Sequence, residues 1–252
     1  AVGSEYETET ATIAGLELDV FKNIPENLGE LYRKGLVAGD KDFLVYQNER
    51  FSFEEAFDLA RRMARVLLEQ FQVKPGDSVA VCARNSPEWC ISYMAISLMG
   101  AIVVPMNSWW KGPELKYGLN DSGSKLIFID PARLSLLEPF LGELNVEIVQ
   151  IKPELETVFP EFYELAKSVE PLSDEEVERI GVKADDNATI MYTSGSTGMP
   201  KGVLSSHRSI ISALYTWKFV KEINEILRPE LVEENPEFDP ALLANVPLFH
   251  VT

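Results

Sequence analysis

Between Thr193 and Lys201 the chain gathers four hydroxyl side chains (Thr193, Ser194, Ser196 and Thr197), two glycines (Gly195 and Gly198) and a lysine. These residue types at this spacing suit the holding of phosphate. Hydroxyls and backbone N–H groups donate hydrogen bonds, glycine lets the backbone approach an anion with no Cβ in the way, and lysine adds a mobile positive charge. The guest implied is a nucleoside triphosphate.

Two familiar loops of similar flavour do not fit. A Walker A loop needs G-x-x-x-x-G-K and then a hydroxyl residue, but Pro200 stands five places after Gly195, and Gly202 follows Lys201. A hydrolase elbow, G-x-S-x-G, needs glycine where Ser194 sits. The chain has 2 histidines. His250 follows Pro247-Leu248-Phe249 at an expected strand end, and His207 follows Ser206 at an expected helix start, where it is read as fixing the loop.

The elements needed to present such a loop are legible. Ser52 and Glu55 form a capping box for a helix whose apolar positions run from Phe53 to Phe71 at helical spacing. A strand is predicted over Ser78–Ala83, a helix capped by Ser86-Pro87 to about Met99, and a strand over Ala101–Pro105. The pattern repeats as helix Pro113–Asn120, strand Lys125–Asp130, helix Pro131–Leu141 and strand Val146–Ile151. An acidic stretch from Val169 to Asn187 reads as a short solvated helix and linker. Strand Ala188–Tyr192 then leads into the loop, Val203–Ser205 returns as a strand, and Ser206 caps a helix to about Val220. After a surface excursion to Pro240, a last strand is predicted over Leu242–Val246. Such β-α-β alternation calls for a parallel sheet covered by helices on both faces.

Composition narrows the class. The net charge is −17, from 40 acidic against 23 basic residues. That field repels phosphate backbones, which excludes nucleic acid as a partner and leaves local positive charge to attract ATP. Cys82 and Cys90 give neither a disulfide framework nor a metal cluster, which fits a reducing cytoplasm as the expected compartment. The apolar run Ile91–Met106 is too short to span a membrane and is broken by Gly100 and Pro105.

Residue for residue, Tyr192–Gly202 resembles the phosphate loop of the adenylate-forming enzymes: acyl-CoA synthetases, luciferases and adenylation domains of peptide synthetases. Asn245–Thr252 resembles the family's next segment, in which a strand delivers a histidine or aromatic residue to the acyl pocket. Upstream, Asn85-Ser86-Pro87-Glu88-Trp89, Gly100–Asn107, Glu114–Tyr117 and Asp121-Ser122-Gly123 are similar to its amino-terminal half. The resemblance covers roughly residues 45 to 252. It implies an α/β fold with largely parallel sheets flanked by helices, part of the large amino-terminal domain of an adenylate-forming enzyme. Residues 1–45 form a separate amino-terminal segment and 46–252 an incomplete large domain, without the small carboxy-terminal domain. The family's Y-G-x-T-E segment, its ribose-binding aspartate and its carboxy-terminal lysine have no match here, so the chain is expected to be a fragment with little activity alone.

The implied reaction is attack of a small-molecule carboxylic acid on the α-phosphorus of ATP, release of pyrophosphate, and transfer of the acyl group to coenzyme A. The resemblance assigns ATP phosphates to Thr193, Ser194, Gly195, Ser196, Thr197, Gly198 and Lys201, Mg2+ to the Thr193 hydroxyl, and catalytic roles to Lys201 and His250. The upstream blocks resemble fatty or medium-chain acyl-CoA synthetases. The alternatives are an acyl-AMP ligase or adenylation domain that loads a carrier protein, and, from another class, a non-catalytic nucleotide-binding module. An open sheet edge also makes a homodimer a natural expectation.

Overall fold

A computed structural model gives the structure of residues 3–153, 157–193, 198–228 and 241–250. The chain opens with a hairpin, β1 (Thr8–Ile13) and β2 (Leu16–Phe21), then α1 (Leu28–Gly35) and a second hairpin, β3 (Asp42–Tyr46) and β4 (Glu49–Ser52). Next come α2 (Phe53–Glu69), β5 (Ser78–Cys82), α3 (Pro87–Leu98), β6 (Ile102–Pro105), α4 (Gly112–Ser122), β7 (Leu126–Ile129), α5 (Pro131–Leu137) and β8 (Glu147–Gln150). Two short helices follow, α6 (Phe162–Lys167) and α7 (Asp174–Ile180). β9 (Asn187–Thr193), β10 (Lys201–Ser206) and α8 (His207–Leu227) complete the described elements.

Local signals explain the helix starts. Ser52 and Glu55 exchange both hydrogen bonds of a capping box at α2, while Ser86, Asp130 and Ser206 each accept a backbone N–H at the starts of α3, α5 and α8. Each cap satisfies a donor that the first helical turn leaves free. α8 runs seven residues past the expected end at Val220, to Leu227.

Six strands form one sheet in the order β10-β9-β6-β5-β7-β8. β5, β6, β7, β8 and β9 run parallel to one another, and β10 runs antiparallel to β9 at the edge. The central strands are buried on both faces, which is why they read as unbroken apolar runs. Val79, Val81, Val103 and Phe128 pack under α2, α3 and α6, while Ala80, Cys82, Val104 and Ile127 pack under α4 and α5. α4 and α5 meet closely: a Cβ at Gly112 would lie 2.3 Å from the Leu136 carbonyl oxygen, so a side chain there forces the two apart.

This layering sets the site. The chain after β5 leaves toward one face, to α3, while the chains after β6 and β7 leave toward the other, to α4 and α5. A crevice therefore opens at the carboxyl end of β5, the place where open α/β sheets receive ligands.

One expected strand is absent. Leu242–Val246 adopts no strand conformation, and the only backbone bond recorded within it joins the Asn245 N–H to the Leu243 carbonyl at 3.0 Å. An apolar run becomes a strand only when a neighbour supplies the other half of its ladder, and no described strand lies beside this one.

Candidate functional site

β9 and β10 form the hairpin whose open end carries the phosphate-loop sequence. Thr193 ends β9 and Lys201 opens β10, and the two are paired in register. The Thr193 hydroxyl donates to the Lys201 carbonyl at 3.4 Å, a long bond on an exposed side chain. Lys201 is exposed, and no carboxylate among the described residues pairs with its ammonium. Gly198 has φ +97°, in the left-handed region that only glycine occupies without strain. The expected phosphate contacts of Ser194, Gly195, Ser196 and Thr197 lie outside the described residues.

Both stems of this hairpin are tied to α4. The Tyr192 hydroxyl donates to Asp121 Oδ2 at 2.6 Å, and its ring meets Trp110 edge-on at 5.4 Å between centroids. The Tyr117 hydroxyl lies 3.2 Å from the Pro200 carbonyl and 3.4 Å from Asp121 Oδ1. Burial first, and then the Asp121 carboxylate, push both phenols above their ordinary range, so each stays protonated and able to donate.

At the far end of β10, His207 opens α8 with no solvent exposure. Its Nδ1 accepts the Leu28 N–H at 3.2 Å, which fixes the proton on Nε2 and joins α1 to α8. Burial lowers its pKa to about 4, with a small opposing pull from Asp186. His207 is thus a neutral structural link at a helix start, and the partner it holds is α1 and not the expected phosphate loop.

His250 is exposed and sits in a turn closed by its own N–H on the Pro247 carbonyl at 2.9 Å. The expectation that a strand end presents it is therefore corrected. The segment before it docks on the carboxyl end of the sheet. Phe249 is buried, its ring edge-on to Trp109 at 5.4 Å, and Leu248 packs on the core beneath α3. Asn85, just after β5, ties this segment down. Its Nδ2 donates to the Ala244 carbonyl at 3.1 Å and the Val246 carbonyl at 2.8 Å, and its Oδ1 accepts the Leu248 N–H at 2.9 Å. Asn85 also borders a cavity of about 280 Å³ lined by Leu44, Tyr46, Cys90, Leu243 and Leu248. Thr193 and the His250 segment thus both attach at the carboxyl edge formed by β5, β6 and β9.

A family described as AMP-binding enzyme matches residues 32–252. The chain belongs to the AMP-binding enzyme family. Long-chain-fatty-acid–CoA ligase FadD13 of Mycobacterium tuberculosis is 29% identical over 202 residues, covering 80% of this chain and 36% of the relative. 4-Coumarate–CoA ligase 3 of Arabidopsis thaliana is 27% identical over 241 residues, covering 93% of this chain and 40% of the relative. The chain therefore spans well under half the length of these relatives. Among solved structures, the N-terminal domain of FACL13 from Mycobacterium tuberculosis superposes with a TM-score of 0.64 at 28% identity, over 77% of this chain and 47% of that one. The anthranilate–CoA ligase AuaEII, solved with anthranoyl-AMP, superposes at 0.66 with 26% identity, over 72% of this chain and 35% of that one. The α/β architecture is the one these adenylate-forming enzymes share.

Within this AMP-binding fold, Thr193, Gly198, Lys201 and His250 are legible from the sequence, whereas Asn85, Asp121 and Tyr117 carry no task there. Each lay in a segment noted for resemblance. Their roles come from contacts with residues 71 to 163 positions away, which spacing along the chain does not reveal.

Proposed function

We propose that the intact protein carrying this chain is an ATP-dependent acyl-CoA synthetase. A carboxylate oxygen attacks the α-phosphorus of ATP, the bond to the β-phosphate oxygen breaks, and pyrophosphate departs. The thiol of coenzyme A then attacks the acyl carbon and AMP leaves. The observation that carries this reading is the Thr193–Lys201 hairpin mouth: a hydroxyl and an ammonium that no carboxylate among the described residues pairs with, on adjacent strands at the carboxyl edge of the sheet, flanking a loop of phosphate-binding composition.

In this reading Lys201 and the loop donors Thr193, Ser194, Gly195, Ser196, Thr197 and Gly198 neutralise charge that builds on the departing phosphates. Mg2+ arrives with ATP. No cluster of three acidic, histidine or cysteine side chains occurs among the described residues, which suits a cation that keeps its waters and phosphate oxygens and takes few protein ligands. The exposed Thr193 hydroxyl, held among the described residues by its long bond to Lys201, is the group that would join its shell. His250 serves as a hydrogen-bond donor or gate beside the carboxylate. The acid is a fatty or medium-chain one, the enzyme acts in the cytoplasm, and residues 1–252 alone do not turn over.

ATP–pyrophosphate exchange by the longest native polypeptide carrying this chain, with a graded set of straight-chain and aromatic acids, tests the proposal. Exchange that depends on straight-chain acids and continuous AMP release only with coenzyme A are the expected results. AMP release with a carrier protein in place of coenzyme A would redirect it to a carrier-loading ligase, and ATP binding without exchange would reduce the chain to a nucleotide-binding module.

A further inference from the structure

We infer that Asn85 is the positioning residue for the acyl side of the site: it holds the segment that carries His250 and so sets affinity for the carboxylate. The inference rests on the proposed synthetase activity for the role of His250, and on geometry for the role of Asn85.

Segment 241–250 has no strand beside it among the described residues, and its internal backbone bonds run only from Asn245 to Leu243 and from His250 to Pro247. The side chain of Asn85 supplies what a neighbouring strand would. It presents two N–H donors to the carbonyls of Ala244 and Val246 and one acceptor to the N–H of Leu248, at 3.1, 2.8 and 2.9 Å. The donors and acceptor thus meet backbone groups at alternate residues, in the pattern of an extended pair. The opposite amide orientation would aim the carbonyl oxygen at two carbonyls and the NH2 at an N–H, so the partners themselves dictate how the amide lies.

Asn85 is well placed to transmit rigidity. It stands between β5, which is fully buried, and Ser86, which caps α3 by accepting the Trp89 N–H at 3.3 Å. Beyond the clamp, Leu248 and Phe249 are packed while Ala241 to Val246 are exposed. The clamp therefore grips the transition from exposed chain to the docked turn that presents His250. Nothing in this contact set touches the β9–β10 hairpin, so a change at Asn85 should act on the carboxylate and not on ATP.

The test is steady-state exchange in the longest native polypeptide, with KM for ATP and for the carboxylate measured separately and thermal midpoints recorded alongside. Asn85→Asp keeps shape and the acceptor but turns both donors into an oxygen facing two carbonyls. A rise of about tenfold or more in carboxylate KM, with ATP KM within about twofold of wild type, is expected for it and for Asn85→Ala. Asn85→Ser, which retains one hydroxyl, covers the case in which the alanine variant does not fold. In a His250→Ala background the Asn85 substitutions should add less than about twofold, because the group they position is gone. Equal changes in both KM values, no change in either, or full additivity with His250→Ala would overturn the inference while leaving the synthetase reading standing. No exchange by the wild-type protein with any acid would remove that reading, and this inference with it.

Discussion

Lys201 and His207 stand at the two ends of β10 and differ in what surrounds them. Lys201 is exposed and free of carboxylates among the described residues, so its charge stabilises the fold very little and is available to a ligand. Lys201→Ala should lower the rate of carboxylate-dependent exchange by roughly 100-fold, the scale of removing one charge-stabilising donor. Its melting temperature should stay within a degree or two of wild type, and a large drop would mean that Lys201 is structural. His207 is the opposite case, buried and neutral with its pKa lowered to about 4. The unfolded chain takes up a proton near the ordinary histidine value while the folded one does not, so stability falls as pH drops from about 6.5 to about 4. The loss attributable to this residue approaches ~3 kcal/mol at the lower end. Urea midpoints at pH 7 and pH 4.5 should differ less in His207→Asn, which removes the titration, than in the wild type.

Among the elements, α3 begins over an ion cluster of which the Glu88 carboxylate is the buried member and Lys152 and Glu49 are partly exposed. Glu88 has no solvent exposure and accepts the Tyr163 hydroxyl at 2.6 Å, with the Lys152 ammonium at 3.4 Å bridging to Glu49 of β4. Removing the cation strands a carboxylate in a low-dielectric site. Lys152→Met should therefore cost about 3 kcal/mol in denaturant unfolding, and Lys152→Met combined with Glu88→Gln should recover much of it. Helix starts were legible in the sequence because a cap is local: Ser52 with Glu55, Ser86 with Pro87, and Asp130 with Pro131 each need only the next turn. The β1–β2 hairpin was not, because it turns on Ala14-Gly15, both at positive φ, and alanine carries none of the turn signal that asparagine or aspartate would. The β3–β4 hairpin turns on Gln47 at φ 51° for the same reason. Leu242–Val246 failed in the other direction, its strand-like composition lacking a strand to pair with.

At the scale of the molecule, β10 closes one side of the described sheet with Val203 and Leu204 about half exposed, and Trp217 of α8 is 65% exposed nearby in the chain. An edge strand with unpaired backbone and apolar side chains is a template for further pairing. The 252-residue chain should accordingly self-associate in sedimentation at micromolar concentration, and Val203→Lys should shift it toward monomer; a monomeric wild-type chain would show the edge to be inert. The β-α-β alternation, the helix caps and the phosphate-loop composition were all determined by sequence alone, since each depends on residues within one or two turns of one another. The strand order, the crevice at the carboxyl end of β5 and the clamp of Asn85 on a segment some 160 residues away were decided only by the tertiary structure. A strand's partner and the face to which its loop departs depend on burying apolar surface across the whole chain. Many pairings share the same local pattern, and only the packed molecule selects among them.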